Sequence, residues 1–343
     1  MSTWIRGQPA GFDLAVTEAA AMLTAARSPV IAGLAADVDA IRAAFSLGSC
    51  IGASIDPAGA ANLYPDLAAF ARAGAMTTTP SEMLRRADVV IAIGSRASTA
   101  PIVESARATE PTAGGSAGPR RVLTLEAGNA EEPLAQCVAI LRASATGRLR
   151  SEHPSAGIAD ILGSARFGVA VYDPEELGEL GIEMLQGLVA ELNEESRFFS
   201  LALPDPWQSR CTLQVSTWLT ACGPRVGLGR DAPEHDPWRF DAARQAEAGE
   251  IDAVLWISAL DAPQPPWLGR LPSISLIADA SEGDGQIVFA VGAPGRTCGG
   301  VVWDERLATL RYVEARGSTS HPGAADVIRT IERAIRASRG APC

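Results

Sequence analysis

The chain has 343 residues, of which 47% are hydrophobic and 5% aromatic, and its formal net charge is −11. A single hydrophobic core stops growing at roughly 250–300 residues, so we expect two subdomains. The acidic balance argues against nucleic acid or an anionic membrane as a partner. All 29 basic residues are Arg, which excludes Schiff-base chemistry, a P-loop lysine and any other lysine-dependent mechanism.

The N-terminal residues lack the charged and apolar regions of a secretory signal, and apolar runs such as residues 89–93 are too short to span a bilayer. We therefore expect a cytoplasmic protein. No pair of its cysteines has the spacing of a metal or iron–sulfur motif. The six cysteines are Cys50, Cys137, Cys211, Cys222, Cys298 and Cys343. Cys137 and Cys222 each fall in an apolar stripe of helical spacing, the second of which contains Val215, Trp218 and Leu219, so both are predicted to be core residues.

In the first part of the chain, short apolar strands alternate with amphipathic helices. A helical face runs from Phe12 to Ala26, and strands are predicted at residues 29–34, 88–95 and 121–127. Asp37 is a candidate N-cap of the next helix. Thr79, Pro80 and Glu82 form a predicted capping box ahead of the second strand. A helix is predicted at residues 131–145.

The alternation of strands and helices continues to the C-terminus. Strands are predicted at residues 167–173, 197–203 and 251–258, a helix starts at Asp173, and a last helix covers residues 324–338. This βαβ order predicts an α/β protein with two doubly wound, Rossmann-like subdomains. A polar, turn-rich segment, Thr146–Gly157, is the predicted boundary. The subdomains are therefore predicted at residues 1–150 and 151–343, and a weak similarity between the two halves agrees with that division.

Several motifs invite a chemical interpretation that their context does not support. Residues 114–118 match the GxSxG nucleophile elbow, but Pro119 follows and no helix begins there, so a surface loop is predicted. The segment 282–286 lacks the ligand set of a calcium loop and is predicted to be a turn. His235 is either an exposed loop residue, which we favour, or a proton carrier. His153 and His321 each precede Pro in a turn and are assigned no function.

Three tryptophans, Trp207, Trp238 and Trp267, each follow a proline in a long loop. A tryptophan in such a place is either a lid over the protein's own core or an interface anchor, and the sequence favours neither.

Four segments carry a family resemblance: Trp4 to Gly7, Ser28 to Ala44, Leu47 to Asp56 and Ser81 to Ser98. In order and spacing they resemble the B subunit of formylmethanofuran dehydrogenase, a relative of the molybdopterin oxidoreductases, and most of all its form in the bacterial formyltransferase/hydrolase complex. The resemblance implies a molybdopterin-oxidoreductase core. The chain begins past the family's cysteine-rich iron–sulfur segment, so we expect that segment to be missing.

The family's metal ligand, a Cys or selenocysteine, falls near Asn62. The stretch Ile55 to Gly74 contains no Cys and no His, and an amide cannot replace a thiolate on molybdenum or tungsten. We therefore predict a vestigial metal-ligand position near Asn62, no catalytic or cofactor-binding residue, no metal and no cofactor. The Gly292 to Gly300 loop, which faces the pterin in the family, is interpreted as an inherited turn.

The resemblance implies a non-catalytic structural subunit with three partners: an amidohydrolase-like hydrolase, a formyltransferase and a C subunit. The implied complex converts formyl-tetrahydromethanopterin, through a formylated methanofuran-type carrier, to formate in formaldehyde oxidation. The alternative is a molybdenum- or tungsten-pterin dehydrogenase subunit with residual cofactor binding. A nucleotide-binding protein is a third hypothesis, disfavoured because no glycine-rich fingerprint follows any strand.

Two further expectations follow from the resemblance. A helix over residues 62–70, carrying Leu63, Tyr64, Leu67 and Phe70, is expected to occlude the old cofactor cleft, since an empty cavity costs stability. The chain is also expected to be an obligate subunit that is poorly soluble or unstable alone, with a permanent interface on the order of 2,000 Å² or more.

Overall fold

The computed structural model describes residues 2–113, 119–127, 132–150, 152, 155–280 and 285–340. Its strands are β1 (Thr3–Ile5), β2 (Gln8–Pro9), β3 (Pro29–Ala35), β4 (Ser54–Pro57), β5 (Val89–Ile93), β6 (Arg121–Leu125), β7 (Gly168–Tyr172), β8 (Phe198–Ala202), β9 (Val226–Gly227), β10 (Glu234–His235), β11 (Ala253–Ser258), β12 (Ser273–Ala278), β13 (Ile287–Val291), β14 (Gly300–Asp304) and β15 (Thr309–Val313). Its helices are α1 (Phe12–Ala25), α2 (Val38–Ile51), α3 (Ala60–Ala73), α4 (Pro80–Arg86), α5 (Ser95–Ser98), α6 (Pro101–Ala108), α7 (Leu134–Ala145), α8 (Ala159–Gly163), α9 (Pro174–Leu192), α10 (Ser209–Thr220), α11 (Ala242–Glu247) and α12 (Ala324–Ser338). Within the described residues, no helix is both long and apolar enough to cross a membrane.

Residue contacts divide the chain into two compact units that are discontinuous in sequence. The first unit comprises Met1–Ala60, Asp205–Trp303 and Leu310–Cys343, and the second comprises Ala61–Pro204 and Asp304–Thr309. This division differs from the boundary predicted near residue 150. The reason is strand pairing, because β7, which follows that boundary, lies beside β5, which precedes it, and β11 likewise lies beside β3.

The first unit is built on a sheet of strand order β10-β9-β4-β3-β11-β12-β13-β1-β2. The strands from β4 to β13 in that order are parallel, whereas the flanking pairs are antiparallel. Helices α1, α2, α10 and α12 cover one face of the sheet with a shared apolar core. Because the chain leaves β3 toward β4 on one side and later enters β11 on the other, the sheet has a topological switch point between β3 and β11.

The second unit is built on a parallel sheet of order β6-β5-β7-β8, whose switch point lies between β5 and β7. One face packs against α7, α8 and α9, and the other packs against α4 and α6. Burial on both faces explains why the two central strands, β5 and β7, are almost continuously apolar. Two Rossmann-like α/β units are thus confirmed, although each is assembled from different segments than predicted.

The predicted helix starts are confirmed by their caps. The Asp37 carboxylate accepts a hydrogen bond from the Ala40 N–H (3.2 Å), and the Thr79 hydroxyl accepts one from the Glu82 N–H (3.2 Å). The Glu82 carboxylate binds Thr78 and Arg86 in turn. These contacts satisfy amide groups that have no partner inside the helix.

Helix α10 buries a different face from the one predicted. Its buried residues are the small and polar side chains Ser209, Cys211, Thr212, Val215 and Ser216. By contrast, Trp218 is 60% exposed and Leu219 48% exposed, and Cys222 lies beyond the helix end and is half-buried. The stripe through Cys222 is therefore not the core face, while the one through Cys137 is confirmed as buried.

The three loop tryptophans separate into two groups. Trp207 and Trp267 are half-buried and pack against the second face of the first unit's sheet, where Trp267 meets Trp256 edge to face at 6.5 Å between ring centroids. Both are therefore lids over the protein's own core. Trp238 is 71% exposed and has Arg244 stacked on its ring at 4.3 Å.

Candidate functional site

Asn62, the predicted vestigial ligand position, lies in the first turn of α3. Its side chain is buried, and its Oδ1 has no hydrogen-bond partner among the described residues. The predicted helix over residues 62–70 is confirmed as part of α3. Of its four large side chains, Leu63 is buried, Tyr64 and Leu67 are half-buried, and Phe70 is 58% exposed. Whether α3 occludes a former cleft remains a prediction.

At the switch point of the second unit, the chain's own carboxylate fills the turn that follows β5. Glu176, in the first turn of α9, accepts hydrogen bonds from the Ser95 N–H and hydroxyl (both 2.7 Å) and from the Arg96 N–H (2.9 Å). Gly94 has φ +92°, and a Cβ there would lie 2.5 Å from the Glu176 carboxylate. In nucleotide-binding Rossmann folds, the corresponding turn presents its N–H groups to a phosphate. Here those donors are already satisfied.

At the switch point of the first unit, Asp37 lies close to two thiols. Burial raises the pKa of Asp37 above its ordinary value. Burial, together with the Asp37 charge, also raises the pKa of Cys211 to about 12 and that of Cys298 above its usual range. Since the thiolate is the nucleophile and the metal ligand, neither thiol is suited to these roles at neutral pH.

The loop from Gly292 to Gly300 folds as a tight turn, as predicted. Gly295 has φ +75° and its N–H donates to the Cys298 carbonyl at 2.8 Å. The Thr297 hydroxyl accepts from the Ala293 N–H at 2.8 Å. The loop thus satisfies several of its own backbone groups.

A buried ion cluster at the end of β4 was missed by the sequence reasoning. Arg225 binds the Asp56 carboxylate through Nε (3.0 Å) and Asp241 through Nη2 (2.7 Å), and Asp56 also accepts from the Ala242 N–H (2.9 Å). Burial raises the pKa of Asp56 to about 6, an effect that Arg225 opposes. No sequence motif marked these residues, although Asp56 closes the strand used to establish the resemblance.

The structure describes two of the three histidines, His235 and His321. His235 is exposed, as expected, but it lies on the short edge strand β10 and not in a loop, and His321 is half-buried. Within the described ranges, no group of three or more His, Cys, Asp or Glu side chains is arranged to hold a metal ion. His153, the GxSxG match and most of the 282–286 segment lie outside the described residues.

These features define a class: a two-unit α/β protein of Rossmann-like topology in which one switch point is filled by a carboxylate and the other holds thiols of raised pKa. No protein-family model matches the chain. It is 42% identical to the B subunit of the formyltransferase/hydrolase complex (Fhc) of Methylorubrum extorquens over 98% of this chain and 97% of that protein. The crystal structure of the M. extorquens complex, FhcABCD with methylofuran, contains a chain that matches with a TM-score of 0.94 and 41% identity over 99% of this chain. The chain belongs to the family of B subunits of the formyltransferase/hydrolase complex.

Proposed function

We propose that this protein is a non-catalytic structural subunit of a formyltransferase/hydrolase complex. The observation that carries the proposal is the similarity to the M. extorquens protein along nearly the whole of both chains, in sequence and in structure. The TM-score of 0.94 shows that the backbones of the two chains are closely similar.

The partners we propose are the hydrolase, the formyltransferase and the C subunit. In this scheme the formyltransferase moves the formyl group from tetrahydromethanopterin to a methanofuran-type carrier, and the hydrolase releases it as formate. The chain described here holds the assembly together. We place the complex in the cytoplasm, where half-buried free thiols such as Cys50 and Cys298 remain reduced.

The proposed lack of catalysis rests on donor chemistry. The family's metal-ligand position falls near Asn62, whose amide cannot bind molybdenum or tungsten as a thiolate does. The amide groups of the turn after β5 are occupied by Glu176. We propose that the scaffold descends from a molybdopterin-oxidoreductase core and that α3, with Leu63 buried, closes its former cofactor cleft.

The test is co-expression of the tagged chain with the other three subunits, followed by size-exclusion chromatography and elemental analysis. We expect all four chains to elute together, the formyltransferase and hydrolase activities to reside in the other subunits, and molybdenum, tungsten and iron to be substoichiometric. Elution of the tagged chain without its partners would refute the subunit role.

One equivalent of molybdenum or tungsten on this chain would instead support the dehydrogenase alternative. In that case substitution of Asn62 by Ala should alter the metal content. Under our proposal, N62A leaves the elemental analysis unchanged.

A further inference from the structure

A groove on the first unit brings exposed apolar and cationic side chains together. It lies between α2, α10 and α12 and has a volume of about 450 Å³. Its lining includes Arg42, Phe45, Ser46, Leu219, Leu228 and Arg329. We refer to it as the arginine groove.

The apolar part of the arginine groove consists of side chains that do not pack into the core. Leu219 is 48% exposed and lines the groove, and the preceding Trp218 is 60% exposed. Two adjacent large apolar side chains with this exposure lie in the last turn of α10, whose buried face is small and polar. Neighbouring exposed apolar groups mark interaction sites more often than single ones do.

The cationic part comes from two arginines that have no acidic partner among the described residues, Arg42 on α2 and Arg333 on α12. Arg42 lines the groove and has no polar partner within the described residues. Arg333 lies beside the groove, in a depression that shares Arg329 and Glu332 with it, and donates only to Thr330 and the Arg329 carbonyl. Glu332, the carboxylate that lines the groove, is nearly buried and already accepts from Ser46 and Arg336. The groove therefore presents positive charge in a chain whose net charge is −11.

The floor of the groove is rigid because its helices belong to the core. Helix α12 buries Val327, Ile328, Ile331 and Ile335 in the cluster that also holds Ile41 and Phe45 of α2. Arg336 is fixed against Glu332, and Arg329 pairs with Asp39 of α2. A preorganised surface loses little conformational entropy on binding, which favours affinity.

We infer that the arginine groove docks an acidic protein segment that carries at least one apolar side chain and comes from another subunit of the complex; this rests on the function proposed above. The unpaired guanidinium groups select carboxylates, since Arg forms bidentate pairs with them, and Leu219 and Leu228 supply the apolar contact. Arginine with exposed tryptophan and leucine beside an apolar floor matches the centre of a protein interface. A protein occupant is favoured over a nucleic acid because the whole chain is acidic and the groove is partly apolar.

The test uses the co-expressed complex immobilised through a tag on this chain, eluted with increasing NaCl. The charge variant is R42E/R333E, and the matched control is R27E/R270E, which changes the same charge on exposed arginines of the same unit. We expect the charge variant to lose about tenfold or more in retained partner at physiological salt, because it reverses charges that face the partner. The control should retain its partner at the wild-type level.

A second pair of variants tests the apolar contact. L219A should also reduce retention about tenfold, whereas L14A, which truncates a similarly exposed leucine on α1, should not. Urea unfolding of each variant, compared with the wild type, verifies that the fold is intact.

The possible outcomes separate the inference from the function on which it rests. If the wild type does not retain the other subunits, the proposed function fails. If R42E/R333E and L219A both retain them at wild-type level, the complex stands and the docking inference is overturned. It is equally overturned if the variants abolish only self-association, which would identify a second copy as the occupant, or only binding of a labelled RNA.

Discussion

Replacing Arg225 by Met should be the most destabilising charge-removing substitution in the first unit. Its guanidinium, 14% exposed, contacts Asp56 and Asp241 and donates to the Pro237 carbonyl at 2.7 Å. Without it, the buried Asp56 carboxylate keeps its hydrogen bond from the Ala242 N–H but loses its cation. Removing one partner of a buried ion pair costs about 3–5 kcal/mol, and we expect a loss of that size at pH 8.

The cost of R225M should depend on pH through Asp56. The pKa of Asp56 is raised from 3.8 to about 6 in the folded chain, so the folded state holds its proton at pH values where the unfolded state has lost it. The contribution of Asp56 to the free energy of unfolding is therefore most favourable below about pH 4. It declines by about 3 kcal/mol as the pH rises through 6. At pH 5 the carboxyl is largely neutral, and R225M should cost only about 1–2 kcal/mol for lost hydrogen bonds.

Pulse proteolysis in urea, applied to the co-expressed complex at pH 5, 6.5 and 8, measures the unfolding free energy of this chain. The double variant D56N/R225M removes the buried charge and should recover more than half of the loss at pH 8. R239M is the matched control, since Arg239 and Glu234 form an exposed pair worth about 0–1 kcal/mol. A cost of R225M that is the same at pH 5 and pH 8, or no recovery in the double variant, would refute this account of Asp56.

Three further predictions concern single positions. G33A should lower the free energy of unfolding by about 2–4 kcal/mol in the same assay, because Gly33 has φ +85° and a Cβ would lie 2.6 Å from the Ile257 carbonyl oxygen. G7A, at φ +75° in open space, should cost about half as much. Equal costs for the two variants would contradict the steric argument. E176A should cost about 1–2 kcal/mol through the loss of three hydrogen bonds, with E176Q costing less because its amide oxygen still accepts; a neutral E176A would show that the contact contributes nothing. Cys211, whose pKa is raised to about 12, should resist iodoacetamide at pH 8 in the native chain and react with it in urea. Peptide mass spectrometry measures the labelling, and rapid labelling of the native chain would contradict the burial of this thiol.

Local signals in the sequence predict the elements well. The strands at residues 29–34, 167–173 and 251–258 are recognisable because each is a continuous apolar run between polar turns, and the last helix has the bounds predicted for it. Side-chain caps such as Asp37 and Thr79 act within three residues of themselves, so the sequence contains the whole interaction.

The predictions that differ from the structure concern features that depend on contacts between residues far apart in the sequence. Nothing within residues 146–157 reveals that β5 and β7 pair across it. The apolar stripe of α10 is misleading for a similar reason. Helix α2 packs against the face of α10 that carries small residues, and Trp218 and Leu219 lie outside that contact. The Glu176 and Arg225 contacts join residues 81 and 169 positions apart, respectively, and leave no motif.

If this chain is the non-catalytic subunit proposed above, those two long-range contacts explain how its scaffold keeps its fold without a cofactor. In a cofactor-binding protein, the amides at a switch point are satisfied by the ligand, so the loss of the ligand leaves donors without acceptors. Glu176 supplies that acceptor from within the chain at the β5 turn. Arg225 similarly neutralises Asp56 at the end of β4. Because each internal partner makes contacts that a ligand would otherwise make, the fold does not depend on a bound ligand for its stability. Under our proposal, the surface, including the arginine groove, then serves assembly.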